Sequence, residues 1–136
     1  MSEEKTVFSS AKRKTSKAFT FLKPGSGIIR VNGAPIECYW PNKVAVMRVM
    51  EPLLLAEELS KKVDIKIKVK GGGYMSQADA VRTSIARALV KYSGSEDLKK
   101  KFLEYDRFLL VEDYRRTEPK KYGGRSARAR VQKSYR

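Results

Sequence analysis

The residue types that most often perform catalysis are scarce in this chain. Histidine is absent, so the single cysteine, Cys38, lacks the imidazole that usually activates a thiol nucleophile. Adjacent carboxylates occur at Glu57-Glu58 and Glu112-Asp113, an arrangement typical of protein surfaces, and no residues have the spacing of a metal site. We therefore predict a protein that is not an enzyme and that uses no metal, cofactor or small-molecule substrate. Cys38 is expected to pack as a small apolar side chain.

The chemistry that the composition favours is binding to a polyanion. The chain has 30 lysines and arginines against 15 acidic residues, which gives a formal net charge of +15. Nucleic acid is the commonest partner of such a charge. Residues 1–30 hold seven basic and two acidic residues, residues 31–113 hold 14 and 12, and residues 114–136 hold nine and one. This distribution predicts a body over residues 1–113, which carries a basic hairpin near its start, and a basic tail over residues 114–136.

Gly71, Gly72 and Gly73 stand between a strand pattern and a helix pattern. Glycines allow a ligand to approach the backbone closely, and the first amides of a helix bind anions, so the triplet can hold a phosphate. The alternative is that the glycines only turn a strand into a tightly packed helix. The lysine and hydroxyl of a P-loop do not follow them, and the G-x-G-x-x-G spacing is absent. Both interpretations remain open at this stage.

Several further basic groups have both a functional and a structural interpretation. Arg87 and Lys91 lie four residues apart on the predicted helix, and Lys66, Lys68 and Lys70 line one face of the preceding strand. Either set can face phosphates or simply water. Lys12-Arg13-Lys14, with Lys17 close behind, forms a basic turn.

The tail is the segment most typical of RNA binding. Its basic residues are separated by small residues, with tyrosines nearby, and arginine and tyrosine can both stack on bases. Lacking apolar residues for a core, it is expected to be extended and ordered only by a partner, while a solubilising tail is the alternative.

The length and composition predict one soluble domain. A chain of 136 residues with 41% hydrophobic residues can bury a core, but it has no apolar stretch long enough to span a membrane. The absence of a secretory signal and the single cysteine predict a cytoplasmic protein with no membrane partner. Strand and helix patterns mix without strict alternation, which predicts an α+β fold.

The hydrophobic periodicity predicts the individual elements. Asn42 is expected to cap a helix that Pro52 interrupts, and Ser76 to cap the helix after the glycines. The predicted strands are Val7–Phe8, Ala18–Leu22 (around a turn at Lys12–Ser16), Ile28–Val31, Val63–Val69 and, as a strand or extended segment, Phe108–Val111. The predicted helices are one following Asn42, a second piece at Leu53–Leu59, then Ser76–Tyr92 and Glu96–Tyr105.

Four motifs in order resemble a known family over nearly the whole chain. They are Gly71-Gly72-Gly73-Tyr74-Met75-Ser76-Gln77-Ala78-Asp79-Ala80 with Arg82 and Ile85–Leu89, the hairpin Ser10–Ala18, Lys23–Gly27 with Val31-Asn32-Gly33, and the tail Gly123–Arg130 ending in Gln132–Arg136. They resemble the universal small-subunit ribosomal protein family S-nine, in its archaeal and eukaryotic branch.

This resemblance implies a fold, a location and partners. The fold is a split β-α-β two-layer sandwich with a left-handed crossover, like the second domain of ribosomal protein S-five, with an extended basic C-terminal tail. The location is the head of the small ribosomal subunit, where the implied partners are the 3′ major domain of the ribosomal RNA, neighbouring head proteins and the anticodon stem-loop of the peptidyl-site tRNA.

The resemblance implies one set of site residues and, together with the charge pattern, predicts a second. The tail residues that the resemblance implies contact tRNA are Lys133, Ser134, Tyr135 and Arg136. The residues expected to contact ribosomal RNA are Lys12, Arg13, Lys14, Lys17, Gly71, Gly72, Gly73, Gln77, Arg82, Arg87, Lys91, Arg115, Arg116, Lys120, Lys121, Arg125, Arg128 and Arg130.

Two other functions compete with the ribosomal one. A sequence-tolerant RNA chaperone acting outside the ribosome has the same charge requirement. Small-molecule kinases share the broad fold and bind phosphate at a glycine-rich turn, but the absence of histidine and the short chain argue against such an enzyme.

Overall fold

The structure, a computed structural model, describes residues 5–135. It has the predicted α+β class, with one five-stranded sheet and five α-helices among these residues. The strands are β1 (Val7–Arg13), β2 (Ser16–Pro24), β3 (Ile29–Val31), β4 (Ala34–Pro35) and β5 (Val63–Lys70). The helices are α1 (Ile36–Tyr39), α2 (Lys43–Leu55), α3 (Glu57–Ser60), α4 (Tyr74–Ser93) and α5 (Glu96–Tyr105), followed by a 3₁₀ helix at Arg107–Leu109.

The sheet has the strand order β1-β2-β5-β3-β4. β1, β2 and β5 pair antiparallel, β3 runs parallel to β5, and β4 pairs antiparallel with β3. Apolar and polar residues alternate along the long strands, and successive side chains of a strand point to opposite faces. One face is therefore buried, and the opposite face, which we call the open face, carries exposed side chains.

The core lies between the buried sheet face and α4. The predicted apolar face of α4 is confirmed, since Ala78, Val81, Ile85, Ala88 and Leu89 are all buried, and the helix packs against β1 and β2. α2 packs against α4. Where helix and sheet meet, a hydrogen bond of 2.7 Å between buried hydroxyl oxygens joins Ser84 to Thr20. This satisfies two polar groups that would otherwise weaken the core.

The hairpin is longer and its turn tighter than predicted. The pairing continues through Lys12↔Lys17 and Arg13↔Ser16, which leaves only Lys14 and Thr15 in the turn. Lys14 adopts a left-handed conformation with φ of 53°. Polar residues do not end these strands, because Lys12 and Lys17 point to the open face and the buried Ser16 donates a hydrogen bond to the Gly71 carbonyl.

The prediction that Pro52 interrupts the helix was wrong. α2 continues through Pro52 to Leu55, and the break comes at Ala56. Pro52 and Leu53 are buried, so packing offsets the hydrogen bond that proline cannot make. The predicted cap at Asn42 is confirmed, because its side-chain oxygen accepts a 2.9 Å hydrogen bond from the Val44 amide.

Four other local predictions differ from the structure. α4 begins at Tyr74 with Gly73 as its N-cap, and Ser76 accepts a hydrogen bond from the Gly73 amide from inside the first turn. Phe108–Val111 does not form a strand, because Asp106 caps a 3₁₀ helix there through the Phe108 amide. Cys38 is exposed rather than packed. The short strand β4 was not predicted, whereas Glu96–Tyr105 is helical as predicted.

Candidate nucleic-acid interface

Arg82 lies inside the molecule and is paired with two carboxylates. Its side chain is 9% exposed. The guanidinium forms ion pairs with Glu51 of α2 and, at 2.8 Å, with Asp106 after α5. Burial raises the pKa of Asp106, but hydrogen bonds from the Phe108 amide and Arg82 outweigh it and lower the pKa. Arg82 therefore joins three helical segments, and its predicted contact with RNA stays a prediction.

Arg87 and Lys91, also on α4, donate hydrogen bonds to neighbouring segments. Arg87 contacts the carbonyl of Leu110 at 2.8 Å, the carbonyl of Ser10 at 3.0 Å and the carboxylate of Glu112 at 3.1 Å. Lys91 donates to the carbonyl of Phe8 at 3.3 Å and remains exposed. Arg87 thus holds the segment after α5 against β1.

A cluster of charges joins the hairpin to the start of the tail. Arg13 lies 3.6 Å from Asp113 and donates to the carbonyl of Arg115 at 3.3 Å. Arg115 binds Asp113 at 2.6 Å, and these hydrogen bonds hold the pKa of the Asp113 carboxyl far below its usual value. Arg116 donates to the carbonyl of Lys14 at the hairpin turn. Three residues predicted to bind RNA, namely Arg13, Arg115 and Arg116, therefore have guanidinium groups that bind other parts of the protein.

The glycine triplet packs against the hairpin turn, in agreement with the structural alternative. Gly71 and Gly72 have φ of 79° and 67°, where side chains are strained. A Cβ atom on Gly71 would lie 2.7 Å from the Thr15 carbonyl oxygen, and one on Gly72 would collide with the Ser16 hydroxyl. The Gly71 carbonyl accepts hydrogen bonds from Ser16 at 3.0 Å and Gln77 at 2.9 Å. This close packing explains the glycines without a ligand.

The open face carries seven basic side chains that form no ion pair. Among residues 5–135, no ion pair involves Lys12, Lys17, Lys23, Arg30, Lys66, Lys68 or Lys70. The strand register places Lys12, Lys17 and Lys70 in one row and Lys66 beside Arg30 in another, with Lys68 between these two rows and Lys23 opposite Asp64 in a third. Lys23, Arg30, Lys66, Lys68 and Lys70 were not among the predicted site residues, although the alternate spacing of the three β5 lysines was visible in the sequence.

The tail has no helix or strand among the residues that the structure describes. It is bent rather than uniformly extended, because Glu118 pairs with Lys121 at 2.6 Å and with Arg128 at 2.9 Å. The side chains of the remaining predicted contacts are exposed to solvent, and these are Lys120, Arg125, Arg130, Lys133, Ser134 and Tyr135. Arg136 lies outside the described residues.

A metal centre and a membrane-spanning helix are both absent from the part of the chain that the structure describes. Within residues 5–135, no group of histidine, cysteine and acidic side chains is arranged to hold a metal ion. No helix in the same range has the length and hydropathy required to cross a membrane.

The structure defines a small α+β protein whose unpaired cations face outward, and comparison with known proteins identifies its family. Residues 11–136 match the family described as ribosomal protein S9/S16, and the chain belongs to this family. It is therefore a ribosomal protein and not an enzyme.

Relatives from three archaea agree closely with this chain. A protein named small ribosomal subunit protein uS9 from Desulfurococcus amylolyticus is 54% identical over 97% of this chain and 94% of its own length. Proteins of the same name from Thermoplasma acidophilum and Methanothrix thermoacetophila are 52% and 49% identical over 96% and 97% of this chain, and over 100% and 99% of their own lengths. These relatives confirm the predicted family and its branch.

Proposed function

We propose that this chain is a structural constituent of the small ribosomal subunit that binds ribosomal RNA in the 3′ major domain of the subunit head. The observation that carries the proposal is the match to relatives named small ribosomal subunit protein uS9 over 96–97% of the chain. The unpaired cations of the open face and tail support it, because cations offset the repulsion between phosphates as RNA folds. The location follows as the cytoplasmic ribosome, beside other proteins of the head.

The proposed RNA contacts are the exposed basic members of the predicted set other than Arg115, whose guanidinium binds Asp113. They are Lys12, Lys14, Lys17, Lys91, Arg116, Lys120, Lys121, Arg125, Arg128 and Arg130. Arg13, Arg87 and Arg115 serve this surface by fixing the hairpin and the start of the tail to the body. Arg82 is left out because its guanidinium is enclosed by Glu51 and Asp106.

We also propose the finer architecture that the family resemblance implies. The body over residues 1–113 is a split β-α-β two-layer sandwich with a left-handed crossover, and residues 114–136 form a basic tail. The parallel pairing of β3 with β5, with α1, α2 and α3 between them in the chain, supports this proposal. The described helices and strands all fall between Val7 and Leu109, which supports the boundary.

The tail is proposed to extend toward the anticodon stem-loop of the peptidyl-site tRNA. Lys133, Ser134, Tyr135 and Arg136 supply this contact. The exposure of Lys133, Ser134 and Tyr135 supports the proposal, since these side chains are available to a partner.

Sedimentation of native cell extract tests the ribosomal role. The chain is expected to co-migrate with the small subunit and to remain bound through a high-salt wash. If it stays near the top of the gradient, or washes off at modest salt, the extra-ribosomal RNA chaperone replaces the ribosomal protein as the best description.

Small subunits that carry a chain lacking residues 133–136 test the tail. They are expected to assemble and sediment normally but to release peptidyl-site tRNA faster. The variant Lys99→Gln/Lys100→Gln is the control, because it removes the same number of positive charges from α5. Normal tRNA retention by the truncated chain contradicts the proposed tail contact.

A further inference from the structure

Three phenylalanines lie together on the open face of the sheet. Phe8 of β1 is directly opposite Phe21 of β2, and Phe19 is diagonal to Phe8. The ring centroids of Phe8 and Phe21 are 5.2 Å apart, and those of Phe8 and Phe19 are 6.2 Å apart with ring planes within 14°. Phe8 is 49% exposed and Phe21 38%. Clustered aromatic rings on a water-facing surface mark an interaction site.

The cross-strand pairing that brings these rings together also places cations directly beside them. Across the sheet, Phe21 is opposite Lys66, and Phe19 is opposite Lys68. Lys66 in turn pairs with Arg30, so the row containing Phe8 and Phe21 ends in two cations. The next row toward the hairpin turn, past Phe19, is Lys12, Lys17 and Lys70. An aromatic patch is thus bordered by cations on two sides.

We propose that the open face is a stacking platform for the bases of an unpaired RNA strand, whose phosphates bind the bordering lysines and Arg30. Base stacking on aromatic rings combined with a cationic border is the general means of binding single-stranded nucleic acid. In a duplex the bases are stacked on one another and cannot reach the rings. The inference rests on the proposed function, because it specifies which feature of an RNA the body takes.

The charge of the face identifies RNA, rather than a second protein, as its occupant. Its seven cations form no ion pair among the described residues, and its one acidic side chain, Asp64, lies opposite Lys23 and accepts hydrogen bonds from the amides of Ser26 and Ile28. A second copy of the chain would bring seven cations and one carboxylate against the same set. Two such faces would repel each other, whereas a polyanion is attracted to either one.

The test compares two strands with equal numbers of phosphates. The full-length chain is titrated, with fluorescence anisotropy as readout, against a labelled RNA of about ten nucleotides and against an abasic strand of the same length. We expect the RNA to bind about five- to tenfold more tightly than the abasic strand, because only the RNA can stack. Equal affinity for the two strands overturns the proposal.

The variant Phe8→Leu/Phe21→Leu assigns the stacking to this face. Leucine keeps an apolar side chain but cannot stack, so the preference for the RNA over the abasic strand should largely disappear. The control is Tyr105→Leu/Phe108→Leu, because these aromatic residues of the helical side are 54% and 38% exposed, close to the values for Phe8 and Phe21. If Phe8→Leu/Phe21→Leu keeps the preference, or the control loses it equally, bases stack elsewhere and the proposal fails.

Two further readouts separate the possible failures. Circular dichroism checks that each variant folds, and the single variant Phe21→Leu replaces the double one if it does not. Dimerisation of the wild-type chain that the phenylalanine variant abolishes would identify the face as a protein contact and overturn the proposal. If the chain co-sediments with the small subunit but binds the RNA and the abasic strand equally, the proposed function stands and the stacking platform is rejected. Base-dependent binding without co-sedimentation supports the platform alone.

Discussion

Arginine and lysine have different roles in this molecule. A guanidinium is planar and carries several donors in a fixed geometry, so one arginine can satisfy several acceptors. Arg87 does so with two carbonyl groups and a carboxylate, and Arg82 joins two carboxylates inside the fold. The lysines of the open face form no ion pair among the described residues. The arginines of the body therefore stabilise the surface that the lysines present.

The first prediction concerns the buried ion pairs of Arg82. Arg82→Met leaves Glu51 and Asp106 without their cation in a partly buried site, so we expect a loss of about 3 kcal/mol in the free energy of unfolding. Urea denaturation measures this loss. The exposed Arg107 supplies the control, and Arg107→Met is expected to change the free energy by less than about 0.5 kcal/mol. Equal effects of the two substitutions would show that the buried pairs contribute nothing specific.

The second prediction concerns Asp64 and acid. Its carboxylate accepts hydrogen bonds from the Ile28 amide at 3.1 Å and the Ser26 amide at 2.9 Å, and these lower its pKa below the usual 3.8. A lowered pKa in the folded state contributes stability above pH 3.8, which is lost as the pH falls through the folded value. Asp64→Asn should therefore be less stable than wild type at neutral pH.

The same reasoning predicts how this difference depends on pH. Unfolding free energies measured between about pH 7 and about pH 2 should show the difference between wild type and Asp64→Asn shrinking as the pH falls below about 4, because the Asp64 carboxylate is protonated as the pH falls through its lowered folded pKa. A difference that stays constant over this range would mean that the charge of Asp64 does not strengthen its hydrogen bonds.

At the scale of elements, the sequence pattern predicted a helix correctly where its boundaries depend on neighbouring residues in the chain. α5 matches its prediction at both ends, since the amphipathic pattern and its boundaries lie within ten residues. Pro52 shows the limit, because the burial that keeps α2 continuous comes from contacts distant in the sequence. The 3₁₀ helix after α5 was likewise missed. It forms where Asp106 both caps the turn and binds Arg82, and a strand pattern of four residues cannot reveal this.

The third prediction concerns the glycines before α4. Gly72 and Gly94 have similar φ angles of 67° and 63°, but only Gly72 faces close neighbours, the hydroxyls of Ser16 and Ser76. Gly94→Ala should cost about 1 kcal/mol of stability for the left-handed backbone alone. Gly72→Ala should cost that amount plus about 1–3 kcal/mol, because the methyl group forces the hairpin turn away.

Thermal or urea unfolding of both glycine variants separates these two costs. The difference between them isolates the packing of the hairpin turn on the glycine triplet. If both variants lose the same stability, the turn moves aside without cost, and the triplet is kept only for its backbone conformation.

At the scale of the whole molecule, the sequence revealed how many cations there are but not which of them are unpaired. Arg82 finds Asp106 24 residues away, and Arg13 meets the carbonyl of Arg115 102 residues away, so no local motif indicates either contact. The alternation of β5 did place its lysines on one face. The extent of the open face could not be predicted, since it depends on the order in which four strands pair.

The fourth prediction uses the salt dependence of RNA binding. Lys66→Gln/Lys68→Gln/Lys70→Gln and Lys99→Gln/Lys100→Gln/Lys101→Gln each lower the net charge by three, the first on the open face and the second on α5. For a single-stranded RNA, the slope of log K against log salt should become shallower by about 2 in the β5 variant, because three phosphate contacts are lost.

The α5 variant is expected to keep nearly the wild-type slope. Since the two variants have the same net charge, the comparison separates local contacts from the overall field of the protein. Equal changes in both slopes would show that the RNA responds only to total charge.

The contacts between the hairpin and the start of the tail also determine when the protein can finish folding during its synthesis. The Lys12 amide donates to Glu112, which is 100 residues further along the chain, and Arg13 finds Asp113 in the same segment. A polypeptide is made from its N-terminus, so the hairpin is synthesised long before these acidic residues exist. The contacts between the hairpin and the start of the tail therefore form only after residue 113 has left the exit tunnel. Until then, the Lys12 amide lacks the Glu112 carboxylate, and the Arg13 guanidinium lacks that of Asp113.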